Sequence, residues 1–147
     1  MAYREIKKNI TILCLFLITS CGSSLSKIST EIDTQIDYNN SERIDLAKVG
    51  DSSWERVCIF GPYSNNNKAE QTLGFKWDLE KKAPVLSEGG VNVLAFVKGK
   101  EVSTHVEHPR HLSDFAQLSG QCFDRSNATL VRDITRKDNW VSFIIKK

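Results

Sequence analysis

The sequence has neither a large net charge nor a long apolar run. Its 20 basic and 18 acidic side chains give a formal charge of +2, far from the basic footprint of nucleic-acid-binding proteins, so we expect no nucleic-acid partner. The apolar run at residues 10–18 is shorter than the ~20 residues that span a bilayer. With 40% hydrophobic residues, the composition is otherwise that of a globular protein, and the length predicts one domain with attachments.

Familiar catalytic motifs are also missing. The sequence contains no Gly-x-Ser-x-Gly turn, no phosphate-binding glycine loop and no His-Glu-x-x-His motif. Four carboxylates considered for acid–base work are interpreted as ordinary surface groups: Glu55, Glu80, Glu107 and Asp114. We therefore predict a protein that is not an enzyme and that needs no cofactor.

The first 20 residues have the pattern of a secretory signal peptide. Arg4, Lys7 and Lys8 precede the short apolar run, and a basic segment before such a run is typical of these signals. The alternative is a buried helix of the mature fold, which the basic flank disfavours. Removal of residues 1–20 leaves a formally neutral chain.

Residues 18–21, Ile-Thr-Ser-Cys, resemble the lipobox of bacterial lipoproteins. In that family the cysteine sulfur takes a diacylglycerol, the chain is cut just before it, and the new amine is acylated. The resemblance implies that Cys21 is the lipidation site and that the protein binds the membrane through this anchor, since two or more acyl chains attach a protein stably. Gly22 stands where Gram-negative lipoproteins retained in the inner membrane carry aspartate, which implies the outer membrane, facing the periplasm. An ordinary cleaved signal or anchor is the alternative.

The four cysteines divide into two groups. Cys14 belongs to the signal and Cys21 to the lipid site, which leaves Cys58 and Cys122. In an oxidising compartment, two such cysteines predict a disulfide, which stabilises by about 4 kcal/mol in the chain-entropy model. A nucleophilic cysteine is the alternative, and it requires an unpaired thiol beside a base.

Residues 21–40 are polar and rich in serine, threonine and asparagine, which is typical of a flexible tether. Ile28, Ile32 and Ile36 are spaced by four, as in a weak amphipathic helix. The β-branched content and the lack of caps favour the tether, with a reach on the order of 25 Å. We place the folded domain at residues 41–147.

The domain is predicted to be α+β, a small and mostly antiparallel sheet of about five strands with one or two short helices and one disulfide. Strands are predicted at 54–60, 91–97, 102–108, 128–131 and 140–145, and helical segments at 41–48, 64–73 and 113–118. The first of these strands is apolar on both faces, which is typical of a central strand covered on both sides.

Several sequence blocks resemble a group of small bacterial envelope lipoproteins. These are WERVCIFGPY, LGFKWD, VNVLAFV, VEHPR and DFAQLSGQCF. The resemblance covers most of residues 44–131. It implies the lipid anchor and the two-cysteine domain, and it implies no activity.

All three histidines lie in HVEHPRH, residues 105–111. Zinc sites on strands usually use histidines at i and i+2, because alternate residues share a face. His105, His108 and His111 are instead three apart, and Pro109 prevents a helix through the motif. We therefore predict no metal site.

His105 and His108 are expected on opposite faces of one strand. His105 shares a polar face with Glu107 and is interpreted as solvated. His108 shares its face with Val102 and Val106, so we expect it to pack at the end of the sheet with one ring nitrogen bonded to backbone.

Glu107, Arg110 and His111 are the candidate partner-binding residues. Arg110 follows Pro109 and is close to Glu107 in sequence, so it is either a presented recognition arginine or half of a salt bridge of small value. Aromatic side chains have two interpretations as well, interface anchor or core, and the core is favoured in a small domain. They are Trp54, Tyr63, Phe75 and Trp77.

The anchor, the tether, the disulfide and the missing catalytic motifs favour a lipid-anchored, non-enzymatic envelope protein. Its small domain is expected to bind another envelope protein. One alternative is a cell-wall or envelope hydrolase that uses Glu107, His108 or His111. Another is a carrier of a small ligand or a metal.

Overall fold

The structure is a computed structural model that describes residues 26–36 and 42–145. The predicted signal peptide and Cys21 lie outside the described residues. No helix within these two stretches is long and apolar enough to cross a membrane.

The described chain is an α+β domain with two antiparallel sheets, which confirms the predicted fold class. The helices are α1 (Lys27–Asp33), α2 (Asn66–Leu73) and α3 (Leu79–Lys82), and short 3-10 turns lie at Leu46–Lys48, Pro84–Glu88, Ala116–Leu118 and Arg125–Asn127. The strands are β1 (Arg43–Asp45), β2 (Arg56–Phe60), β3 (Val91–Lys98), β4 (Glu101–Pro109), β5 (Gln121–Asp124), β6 (Thr129–Arg132) and β7 (Phe143–Ile145). One sheet has the order β4-β3-β2-β5 and the other β1-β6-β7.

The β2 strand is central in the four-stranded sheet, as predicted. Because side chains alternate along a strand, Val57 and Ile59 enter one apolar cluster, while Cys58 and Phe60 enter the other. The first cluster, the α1-side core, also holds side chains of α1 and of the three-stranded sheet. The second, the α2-side core, lies under α2 and α3. The four-stranded sheet therefore separates two cores.

The tether prediction is wrong for residues 26–36, which fold against the α1-side core. The Ser26 side chain caps α1 by accepting a hydrogen bond from the Ser29 amide at 3.1 Å. Ile32 is 0% exposed and Ile36 is 4% exposed. Burying two such side chains contributes about 3–6 kcal/mol, which outweighs the low helix propensity of isoleucine, at most ~0.7 kcal/mol per residue.

The helix predicted at residues 41–48 is only partly correct. Ile44 of β1 pairs with Leu130 of β6. The helical part of the segment is the single 3-10 turn at Leu46–Lys48. The Gln35 side chain accepts from the Asp45 amide at 2.8 Å and donates to the Asp45 carbonyl at 3.2 Å. This amide satisfies backbone groups on the open edge of β1, which helps to protect that edge.

The disulfide prediction is confirmed. Cys58 of β2 and Cys122 of β5 lie directly opposite each other in antiparallel register and are bonded. Cys58 is fully buried, and Cys122 Sγ lies 3.4 Å from the Thr72 carbonyl at the end of α2. The bond therefore fixes the edge strand β5 to the centre of the sheet beneath α2.

Candidate functional site

The segment that connects β4 to β5 also joins the two sheets. The Asp114 amide donates to the Val141 carbonyl at 2.8 Å, and the Phe143 amide donates to the Asp114 carbonyl at 3.0 Å. The side chain of Asp114 is buried, so its interpretation as an ordinary surface group is wrong.

The Asp114 carboxylate receives two guanidinium groups. Arg110 donates to both oxygens, from Nε at 2.8 Å and from Nη2 at 3.0 Å. Arg136 Nη1 donates to Oδ2 at 3.0 Å, and the Ala116 amide donates to Oδ1 at 3.1 Å. Burial disfavours the charged carboxylate, but the hydrogen bonds from Arg110 and Ala116, with the charges of both arginines, outweigh it and lower the pKa of Asp114.

Arg110 is held from three sides. Beyond Asp114, its Nη1 donates to the Gly89 carbonyl at 2.8 Å, and its guanidinium lies over the Trp140 ring, 4.7 Å from the centroid. Stacking of this kind is an attraction between a cation and an aromatic face. The partner of Arg110 is therefore Asp114, and the predicted pairing with Glu107 is wrong.

Three large apolar side chains are exposed in the described part of the chain: Tyr63 (75%), Ile134 (83%) and Trp140 (38%). Tyr63 lies over Gly89, the residue whose carbonyl binds Arg110. Ile134 and Trp140 line one cleft of about 330 Å³ together with Arg136. Arg110, stacked on Trp140 and bonded to the Gly89 carbonyl, links these two places, and we call Tyr63, Arg110, Ile134, Arg136 and Trp140 together the Arg110 surface.

Tyr63 is held in a backbone conformation that its side chain disfavours. It is the third residue of a turn closed by the Ser64 amide and the Gly61 carbonyl at 3.3 Å, and its φ is +63°. With proline second and a positive φ third, this is the type II arrangement, in which glycine usually takes the third place. A non-glycine residue there costs about 1–2 kcal/mol.

His108 is a core residue at the end of β4, as predicted, but its hydrogen bond is with a side chain. Its Nε2 lies 2.7 Å from Ser113 Oγ, and its ring stacks on Phe115 at 5.4 Å. Burial lowers the pKa of His108 to about 4, so the ring is neutral at pH 7. The distance between His108 Nε2 and Ser113 Oγ is that between a nucleophile and its general base. Both side chains, however, are 0% exposed.

A bulge changes the predicted face pattern of β4. Phe96 pairs with Thr104 but Val97 pairs with Val102, so Ser103 is the extra residue. One extra residue reverses the side-chain alternation. Val102 therefore packs in the α2-side core and Val106 in the α1-side core, and the prediction that both share a face is wrong.

The other two histidines lie apart from His108. His105 is half-buried against the edge of Trp77, with ring centroids 5.5 Å apart, so its solvated interpretation is wrong. His111 is exposed in the turn after β4. The described residues contain no group of three potential ligands that would hold a metal ion.

Comparison with known proteins gives no relative. No protein-family model, curated protein or solved structure matches the chain. The two resemblances to bacterial lipoproteins therefore stay predictions, and the geometry of the domain is the remaining guide to its function.

The predicted partner-binding residues do not form one cluster. Arg110 is at the centre of the Arg110 surface, and His111 follows it in the exposed turn. Glu107 is half-buried on β4, where burial raises its pKa, and its backbone carbonyl lies 3.5 Å from Ser29 Oγ of α1. No sequence pattern points to Arg136, which lies 22 residues from Asp114.

Proposed function

We propose that this protein is a lipid-anchored cell-envelope protein, not an enzyme, whose small domain binds another envelope protein through the Arg110 surface. One observation carries the proposal. The three exposed large apolar side chains of the described residues, Tyr63, Ile134 and Trp140, all lie on this one surface. Grouped exposed apolar side chains with a polar rim are typical of protein-binding sites.

The composition of the surface supports the same proposal. Tryptophan, tyrosine and arginine dominate the binding energy of protein interfaces. Arg110 is already fixed by Asp114, Gly89 and Trp140. Ordering a flexible side chain on binding costs about 0.5–1.5 kcal/mol, so the pre-ordered guanidinium avoids much of that cost.

The location belongs to the same proposal. The lipobox resemblance at residues 18–21 supports an anchor on Cys21, and Gly22 favours the outer membrane on its periplasmic side. The Cys58–Cys122 disulfide is consistent with an oxidising compartment. The partner is then a protein that reaches this membrane surface.

Photo-crosslinking in living cells tests the proposal. A photoreactive amino acid is placed at Ile134 or at Trp140, and at Lys100 as a control, because Lys100 is exposed in the β3–β4 hairpin at the far end of the sheet. We expect one defined protein adduct from each test position and none from Lys100. Equal adducts from all three positions, or none from any, would contradict a binding role for this surface.

A further inference from the structure

A second groove, of about 430 Å³, borders Tyr63. One wall is the Tyr63 turn, and the other is the segment that follows α3. The lining residues are Tyr63, Ser64, Asn65, Glu80, Ala83, Pro84 and Ser87. The groove therefore extends the Arg110 surface past the strained tyrosine.

The groove combines apolar walls with a single carboxylate. Tyr63, Ala83 and Pro84 supply apolar atoms, and among the described residues that line the groove Glu80 is the only charged one. Lysine and arginine side chains have the matching form, since an apolar stem carries a cationic head. The head can contact the face of an aromatic ring and donate a charge-assisted hydrogen bond to a carboxylate.

Glu80 is held in position before any ligand arrives. Its Oε2 accepts from the Asn66 amide at 3.2 Å, and its own amide donates to Asn66 Oδ1 at 3.0 Å. This reciprocal pair joins the first turns of α2 and α3. A carboxylate has about four acceptor positions, so Glu80 retains capacity for a cation from outside.

Tyr63 forms the wall at a cost to the fold. Its side chain is 75% exposed while its backbone has φ +63°, so the folded domain gains little from a tyrosine at this position. Strained residues of this kind concentrate at functional sites, where the surrounding structure holds them.

From this geometry we infer that the groove between Tyr63 and Pro84 receives a lysine or arginine side chain of the partner protein. The inference rests on the proposed binding function, and it adds the chemistry that the partner must present. An acidic or phosphorylated side chain is disfavoured in the groove because the Glu80 carboxylate repels a second negative charge.

Peptide titration tests the groove directly. The full chain, in detergent micelles and labelled with ¹⁵N, is titrated with acetyl-Gly-Arg-Gly-amide, and then with the matched citrulline and glutamate peptides. We expect saturable shifts of the Tyr63, Ser64 and Glu80 amide signals with the arginine peptide and with neither of the others, at a Kd in the millimolar range. Glu80→Gln should weaken this binding at least fivefold, whereas Glu88→Gln, a matched change of a carboxylate that does not line the groove, should leave it unchanged.

Two results would overturn the inference: equal shifts with arginine and citrulline, or unchanged binding in Glu80→Gln with a native spectrum. Tyr63→Ala should also weaken the binding, and Tyr63→Phe should restore most of it. The crosslinks from Ile134 and Trp140 decide the proposed function separately. Crosslinks without arginine binding would overturn the groove inference alone. Arginine binding without crosslinks would overturn the proposed function and, with it, the partner protein as the source of the cation, while the cation site in the groove would stand.

Discussion

Replacing Asp114 by asparagine removes one negative charge and leaves the shape of the side chain nearly unchanged. The backbone bonds of residue 114 to Val141 and Phe143 stay possible. Arg110 and Arg136, whose side chains are only 17% and 23% exposed, lose their common counter-charge. The change therefore removes the charge at this contact between the two sheets, together with one of the two acceptor oxygens.

The expected loss follows from the remaining contacts. Breaking a buried ion pair by removing one partner costs about 3–5 kcal/mol. Arg136 retains its hydrogen bond to Asp138 at 2.6 Å, and Arg110 retains its hydrogen bond to the Gly89 carbonyl at 2.8 Å. Both guanidinium groups also reach some water, so we reduce the expected loss of stability to about 2–3 kcal/mol. That is a large share of the ~5–15 kcal/mol that stabilises a small domain.

Urea unfolding at pH 7 measures this loss as a lower midpoint with an unchanged slope. Glu101→Gln, a charge-matched change at the exposed start of β4, serves as control and should leave the midpoint unchanged. A loss below ~1 kcal/mol for Asp114→Asn would refute the argument that this carboxylate holds the sheets together.

Four further predictions concern Tyr63, His108, the disulfide and Cys21. Both Tyr63→Gly and Tyr63→Ala remove the ring, so the glycine variant should be the more stable by about 1 kcal/mol in urea unfolding, because only glycine adopts φ +63° without strain; equal stability would contradict the strain. The pKa of His108 is about 4 in the folded domain, against an ordinary 6.5, so His108 contributes no pH dependence to the free energy of unfolding above pH 6.5. As pH falls from 6.5 to 4 the unfolded chain takes up the proton first, so stability should drop by about 3 kcal/mol, and this slope should vanish in His108→Gln. Cys58→Ala, Cys122→Ala and the double variant should lower the melting temperature by a similar amount, since the two residues act as one unit; clearly additive losses would speak against this. Cys21→Ala should abolish acyl labelling and leave uncut precursor, and normal processing would disprove the lipobox interpretation.

The parts of the fold that the sequence predicted are fixed by local patterns. Apolar residues on both faces marked β2 as central, and Gly74, with φ +80°, ended α2 where a C-terminal glycine is expected. The disulfide followed from the count of cysteines and from the oxidising compartment that the signal pattern predicts. These signals depend on nearby residues or on composition, and none of them requires knowledge of the tertiary structure.

The parts that were missed depend on contacts between distant segments. The α1 helix has poor helix formers and forms because Ile32 and Ile36 are buried in the core. The β1 and β5 strands were not predicted, since each is short and takes its place from its neighbours in the sheets. Arg110 and Tyr63 were candidates from the sequence, but the rest of the Arg110 surface was missed for the same reason, because Asp114 binds arginines from two separate segments.

With the proposed lipid on Cys21, the docking of α1 would limit how far the domain can move from the membrane. Ser26, the cap of α1, is five positions after Cys21, and an extended chain of that length reaches at most ~18 Å. With the proposed lipid on Cys21, the domain stays at the headgroup surface and cannot search the width of the periplasm. A partner anchored in the same membrane would share the thin layer at the headgroup surface with it, and this confinement would raise the rate at which the two meet. Weak contacts at the Arg110 surface are sufficient for such a neighbour, while the same contacts leave a freely diffusing protein unbound.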